Sequence, residues 1–307
     1  MTFFSLLTAF LLEYFRPLRY PLPHYQVFWR YAHYIERQFN TGPYQYGVFA
    51  WLIAVLPVLI AVSAVYFLLE NVSPLLAWIW SAFVLYATLG FRYFSKTGER
   101  IARALEADEL DTARTILAEW RGLDASTLNA GEIARLATER TLESAHRQMF
   151  GVIVCFVLLS PFGPVGAVLY RLASILGRKW VSTTGGGQFG EFAARAYYWI
   201  NWIPVRLTAL SFAVAGDFED AIYCWRTQAQ DWPDGAEGIV LASGAGALGV
   251  RLGLPISDAG GEISRPELGL GDSADAQYLN SAISLCWRVL GLWLLTLLLI
   301  TLAKLAG

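Results

Sequence analysis

The sequence predicts an all-α fold: a polytopic helical membrane protein with helical and loop segments on the cytoplasmic side. Three observations predict it. The first is composition, since the 307 residues are 56% hydrophobic, 15% aromatic and only 16% charged, against roughly 25% charged in a soluble domain. The second is a set of long uncharged runs. The third is a pair of polar segments, 92–147 and 217–283, that separate those runs. A formal net charge of -2 gives no electrostatic footprint for nucleic acid, and none is expected as a partner. The partner expected first is the lipid bilayer, with the aromatic residues collecting at its interfaces.

The N-terminal residues 1–12 are apolar but short for a span of about 20 residues, so they either lie in the interface or re-enter. No basic n-region and no small-x-small site accompany them, so no removable signal peptide is expected. Gly47 to Leu69 is the first clear span and Val72 to Phe91 the second. Glu70, Asn71 and Pro74 between them leave room only for a tight helical hairpin. Gln148 to Tyr170 is a third uncharged run, bounded by Arg147 and Arg171. Its Ser160-Pro161-Phe162-Gly163-Pro164 stretch should break it. Ala196 to Gly216 is apolar apart from Arg206, and Val289 to Ala303 is a short final run between Arg288 and Lys304. The spans number between three and six. Arg16, Arg19, Arg30 and Arg37 before the first hairpin, and the arginines of 92–147 after it, place both flanks in the cytoplasm. If 148–170 and 196–216 both cross, or both re-enter, the two polar segments share one side. The chain then reads as one membrane domain over 1–307, multi-pass in a bacterial-type inner membrane.

The polar segments hold the candidate chemistry. Ile101, Leu105, Leu110, Ala113, Ile116, Leu117 and Trp120 recur at helical spacing, with Asp108 and Asp111 bracketing a break. Asp124 to Asn129 reads as a turn and cap leading into a helix over Gly131 to Gln148. Glu132, Arg135, Glu139 and Glu143 share one face of that helix. The face is either solvated and laced with ion pairs, or Glu139 and Glu143 form a paired-carboxylate cation or phosphate–magnesium site. Segment 217–283 is rich in acids, Gly and Pro, and short helices with ordered loops are expected rather than a sheet. Within it, Gly244, Gly246, Gly249 and Gly253 follow an apolar run, with Glu267 or Asp272 about twenty residues on, the spacing of a dinucleotide fingerprint. No βαβ repeat surrounds them. The glycines therefore serve either close helix packing or backbone approach to a phosphate or carboxylate. Arg206, inside an apolar run, either faces a cavity or snorkels to an interface. Cys155, Cys224 and Cys286 are widely spaced, and His24, His33 and His146 form no metal motif.

Several blocks resemble the CobD/CbiB cobalamin-biosynthesis proteins. They are Ala104-Leu-Glu-Ala-Asp108-Glu-Leu-Asp111-Thr-Ala-Arg114, Gly122-Leu-Asp124-Ala-Ser126, Glu139-Arg-Thr-Leu-Glu143, Ile203-Pro204-Val-Arg206-Leu207, Ala245-Gly-Ala-Leu-Gly249-Val-Arg-Leu-Gly253, and Arg265-Pro266 with Gly271-Asp272. They stand in family order across nearly the whole chain. The resemblance implies an adenosylcobinamide-phosphate synthase-like amide ligase, joining a corrinoid carboxylate to aminopropanol or its phosphate with ATP and Mg2+. It implies Glu139 and Glu143 as catalytic carboxylates and metal ligands, and Arg206, Arg251 and Arg265 as anion partners. Gly244, Gly246, Gly249 and Asp272 would complete the substrate and phosphate site. The family's E-N-x-x-D-G continuation reads Ser144-Ala-His146-Arg147-Gln148 here, its N-T-L-D-S-M block corresponds to Leu172-Ala-Ser174-Ile-Leu, and its paired aspartates correspond to Tyr197-Tyr198. The related AmpE-type branch, with its non-enzymatic inner-membrane signalling role, is the alternative implied. A transporter is a third reading, from Arg206 and the broken Pro161–Pro164 helix. The oligomeric state has no signal in the sequence.

Overall fold

The computed structural model describes residues 2–16, 23–40, 42–183, 188–258 and 261–306. Arg19, used above for orientation, lies outside the described residues. The fold is all-α, with thirteen α-helices and five very short strands among the described residues. It divides into two compact units. The first takes in residues 1–90 and 147–204, the second 91–146 and 205–307.

In the first unit, α1 (Thr2–Phe15) packs along α4 (Pro74–Thr88), and Tyr86 Oη donates to Arg16 O at 2.6 Å. α2 (Pro23–Phe39) leads to α3 (Tyr44–Val72). Ser73 ends α3 and starts α4 in one residue: its N–H closes on Leu69 O, and its hydroxyl accepts from Leu75 N at 3.3 Å. The expected tight hairpin is therefore a single capping serine followed by proline at the first helical position. The core joins Phe28 and Ile35 of α2 to Trp51 and Val55 of α3, and to Leu172, Leu176 and Trp180 of α9 (Val165–Thr183).

The run 148–170 breaks where its prolines stand. A π-helical turn (His146–Phe150) feeds α8 (Gly151–Leu158), and a 3-10 turn (Ser160–Phe162) and Gly163, at φ 75°, reverse the chain into α9. Gly163 is needed there because L side chains avoid positive φ. α8 and α9 lie antiparallel in very close contact. A Cβ at Gly166 would run into the Cys155 carbonyl, and one at Gly151 into the Tyr170 ring. At the open end Arg171 Nη1 reaches Arg147 O at 3.5 Å, so both flanks of the run meet. The run thus folds back on itself instead of crossing as one helix.

In the second unit, α5 (Phe91–Glu106), α6 (Leu110–Arg121) and α7 (Ala130–Ala145) form the expected helical insert. Asp108, at φ 60°, makes the break between α5 and α6. Asn129 caps α7 in a capping box, its Oδ1 accepting from Glu132 N while Glu132 Oε2 accepts from Asn129 N. α10 (Gln188–Ala215) contributes residues 205–215 to this unit, followed by α11 (Phe218–Gln228) and α12 (Gly235–Leu248). α13 (Ala276–Ala306) is far longer than the apolar run 289–303. Its more polar first half packs on α5, where Gly98 lets Ile283 approach.

The expectation of short helices and ordered loops without a sheet for 217–283 holds for the helices α11 and α12 and is corrected by a small sheet. β1 (Val250–Gly253) pairs antiparallel with β4 (Glu267–Leu268) and parallel with β5 (Asp272–Ser273), while β2 (Ile256–Asp258) and β3 (Gly261–Ile263) form a separate hairpin. Gly253, Gly269 and Gly271, all at positive φ, let the strands turn back within a few residues.

Among the described residues, three helical stretches are long and apolar enough to cross a membrane: Tyr44–Val72, Pro74–Glu106 and Ala276–Lys304. α3 leaves Phe49, Ile53, Leu56, Ile60 and Leu68 exposed, an apolar face suited to lipid. On α10, Trp199, Ile203, Leu207, Leu210 and Val214 are exposed, while Asn201, Thr208 and Ser211 are buried alongside apolar residues such as Val205 and Phe212.

Candidate functional site: a buried carboxylate among arginines

The face of α7 that carries Glu132, Arg135, Glu139 and Glu143 is not solvated as a whole. Glu132 is half-buried at the cap, whereas Arg135, Glu139 and Glu143 are buried. Glu139, 2% exposed, is the centre of the arrangement. Its Oε2 accepts from Arg265 Nη1 at 2.8 Å and from Arg121 Nη1 at 3.2 Å. Its Oε1 accepts from Arg265 Nη2 at 3.0 Å and from Gly253 N at 3.0 Å. The Arg265 contact is bidentate, the geometry in which guanidinium and carboxylate match best. A carboxylate offers about four lone-pair sites, and all four are taken.

The same arginines hold backbone. Arg265 donates to Gly253 O at 2.7 Å and to Leu254 O at 3.2 Å, and its guanidinium carbon stands 5.4 Å from the centre of the Trp232 ring. Arg121 also donates to Leu136 O, and Arg135 to Pro255 O at 3.1 Å. Gly253 and Leu254 both have positive φ, 72° and 62°. For Leu254 that conformation is strained, and the guanidiniums fix the carbonyls on either side of it. Burial lowers the Arg135 pKa below the usual guanidinium range; nearby Arg265 adds to this, and Glu139 and Glu132 oppose it.

Of the residues singled out in the sequence, Glu139 and Arg265 are in direct contact, Arg251 and Asp272 lie on the adjoining sheet, and Gly249 stands just before β1. Val250 is paired with Asp272 and Arg251 with Ser273. Arg251 Nη2 donates to Ser273 Oγ at 3.2 Å and its Nη1 stands 3.8 Å from Glu267. Asp272 accepts from Tyr278 Oη at 3.0 Å. Gly249 ends α12 in the left-handed conformation, with open space around its Cβ position. Gly244 and Gly246 are inside α12: one faces the Leu142 side chain, the other the Asp220–Ala221 backbone, so close packing fills both positions. Glu143 pairs with Arg140 at 3.0 Å, one turn beyond Glu139. Arg206 is half-buried on α10, two residues before Thr208, whose hydroxyl meets His146 Nδ1 at 2.9 Å.

A magnesium ion needs carboxylate oxygens with free lone pairs. Glu139 as paired here offers none, and among the described residues no group of three His, Cys, Asp or Glu could hold a metal. This donor set does not fit the metal at Glu139. Arg121 and Trp232 escaped the sequence reading as site residues. Arg135 and Gly253 carried a signal, Arg135 four residues before Glu139 on one helix face and Gly253 as the last of the glycines read either as close packing or as backbone approach to a phosphate or carboxylate.

Residues 6–286 match the family described as CobD/Cbib protein. The chain belongs to the CobD/Cbib family. It is 36% identical over 277 residues to the Cobalamin biosynthesis protein CobD of Stutzerimonas stutzeri, covering 89% of each chain. The protein of the same name from Chromobacterium violaceum is 35% identical over 221 residues, 72% of this chain and 70% of its own. That of Streptococcus sanguinis is 28% identical over 318 residues, 97% of both. No solved structure matches.

Proposed function

We propose that this protein acts in cobalamin biosynthesis, in the membrane, as an amide-forming ligase. It would join a corrinoid carboxylate to aminopropanol or its phosphate at the expense of ATP. The observation that carries the reading is the family match over residues 6–286, with relatives named for cobalamin biosynthesis. In such a reaction the carboxylate takes the terminal phosphoryl group of ATP, releasing ADP. The amine then attacks the carbonyl, loses a proton and expels inorganic phosphate. Magnesium would neutralise the polyphosphate when bound. The chain's own part is to hold anions and to stabilise the charge that develops on the carbonyl oxygen. Arg251 and Arg265 of the sheet module and Arg206 of α10 are the cations proposed for this, and Glu143 is the proposed catalytic carboxylate. Glu139 keeps Arg265 and the 253–255 backbone in place.

The test is growth of a strain that lacks its own synthase and needs completed cobamide. Wild type should restore growth, while Glu143→Gln and Arg206→Gln, at matched membrane expression, should not. No growth from well-expressed wild type would sink the ligase reading. It would favour the AmpE-type regulatory alternative, which the complete engagement of Glu139 by Arg265, Arg121 and the Gly253 N–H supports as a purely structural use of that carboxylate.

A further inference from the structure

A cavity of about 50 Å³ lies at the α3–α4 hairpin end of the first unit, walled by the starts of α1 and α4, the end of α3 and the Ser160–Phe162 turn. One water needs roughly 10–15 Å³ of such space, so the cavity admits a group of several heavy atoms. Its deepest residue on α4, Ser81, is about 12 Å along the helix from Ser73 at the tip. α3 and the stretch Pro74–Glu106 are long and apolar enough to cross a membrane. The cavity therefore stands at the depth of phospholipid headgroups and the glycerol beneath them.

Its inner wall offers donors. Trp78 Nε1 is buried with no hydrogen-bond partner. Ser81, 5% exposed, makes no side-chain hydrogen bond among the described residues. An indole N–H can only donate, and leaving it buried and unpaired is unfavourable. α1 and α4 both begin here, which adds the positive ends of two helix dipoles. At the rim the sign reverses. Glu70 is exposed, its Oε1 accepts from Tyr66 Oη at 3.3 Å, and no cationic side chain of the described residues pairs with it. Phe4, Leu75 and Ile79, neighbours of wall residues in the chain, are exposed and apolar.

We propose that this cavity seats the headgroup of a phospholipid with a primary ammonium, phosphatidylethanolamine. Its phosphodiester oxygens accept from the Trp78 N–H and the Ser81 hydroxyl, its ammonium donates to Glu70, and its acyl chains lie on Phe4, Leu75 and Ile79. Phosphatidylglycerol brings the anion without a cation for Glu70, and the cation of phosphatidylcholine has no N–H to donate. None of the residues in the ligase reading lines the cavity, so the two readings stand or fall separately.

The full chain, purified in a phospholipid-free detergent, is titrated with the three lipids at matched acyl chains, and bound lipid is read by native mass spectrometry. Phosphatidylethanolamine should bind about tenfold more tightly than either of the others. Glu70→Gln should erase that preference. Trp78→Phe and Ser81→Ala should weaken binding of phosphatidylethanolamine, and Glu109→Gln, at an exposed acid of the second unit, should change nothing. Equal binding of the three lipids by wild type, or a preference that survives Glu70→Gln, overturns the site. If Trp78→Phe does not fold, the exposed Glu70→Gln decides. Displacement of bound phosphatidylethanolamine by an equal concentration of O-phosphoethanolamine would assign the cavity to a soluble ester and overturn the lipid reading.

Discussion

Glu139→Ala should be among the most damaging single substitutions in the second unit. It removes the carboxylate that both Arg265 and Arg121 hold, at side chains 12% and 19% exposed. It also leaves Gly253 N without its acceptor. Breaking a buried pair by deleting one partner costs about 3–5 kcal/mol. For a unit of this size that is a fall of about 6–20 °C in melting temperature. Glu139→Gln keeps an oxygen for Gly253 N and loses the charge, so about 1–3 kcal/mol is expected. The assay is thermal unfolding of the purified chain, with Glu139→Ala, Arg265→Ala and the double variant compared as a cycle. The two losses should overlap, with a coupling of at least about 1 kcal/mol. A Glu139→Ala loss below about 1 kcal/mol, or strictly additive losses, would refute the claim that this pair holds the module to α7.

Further expectations follow from single positions. Asn129→Ala removes the α7 capping box and should cost about 1 kcal/mol in chemical unfolding. Gly253→Ala places a side chain at φ 72° against the Pro266 carbonyl; it should cost more than about 1 kcal/mol, and hydrogen exchange at the 252–253 amides should accelerate. Gly166→Val drives a side chain into the Cys155 carbonyl and should abolish stable membrane expression, whereas Gly291→Ala, with nothing near its Cβ position, should be silent. Burial pushes the Cys224 thiol up to about 11, so it should resist maleimide at pH 8 in the folded chain and react once detergent unfolds it. The Asp124 carboxyl is held low by the Ser126 N–H. Its folded value lies below its unfolded one, so its contribution is present above the ordinary carboxylate range and lost as pH falls through the folded value. Stability curves of wild type and Asp124→Asn should therefore converge only in acid.

Much of the architecture was legible because it is local. Pro74 after Ser73 announces the α3–α4 hairpin, Asn129 with Glu132 announces α7, and Pro161 to Pro164 announces the α8–α9 reversal. The strands were not legible, since runs of two to four residues carry no periodicity and depend on glycines at positive φ far from their partners. The apolar run 289–303 understated α13 for a similar reason: its first half packs on protein and needs no uniform hydrophobicity. Spacing placed Glu139 and Glu143 on one helix face but did not say what that face meets. Arg121 lies 18 residues upstream of Glu139 and Arg265 lies 126 downstream, separations over which a single sequence gives no pairing signal.

The second of those separations also sets an order of events during synthesis. At about 5–20 residues per second, Arg265 emerges about 6–25 s after Glu139. Arg121 is already in the chain by then, and so is Asn129 to start α7. The nascent helix can therefore form with its carboxylate hydrated and answered by Arg121 alone. Gly253 and Arg265 arrive as late ligands to a finished surface. The module carrying β1 to β5 is thus templated by α7, and a ribosomal pause between residues 139 and 265 prolongs the interval in which that surface stands open to other partners.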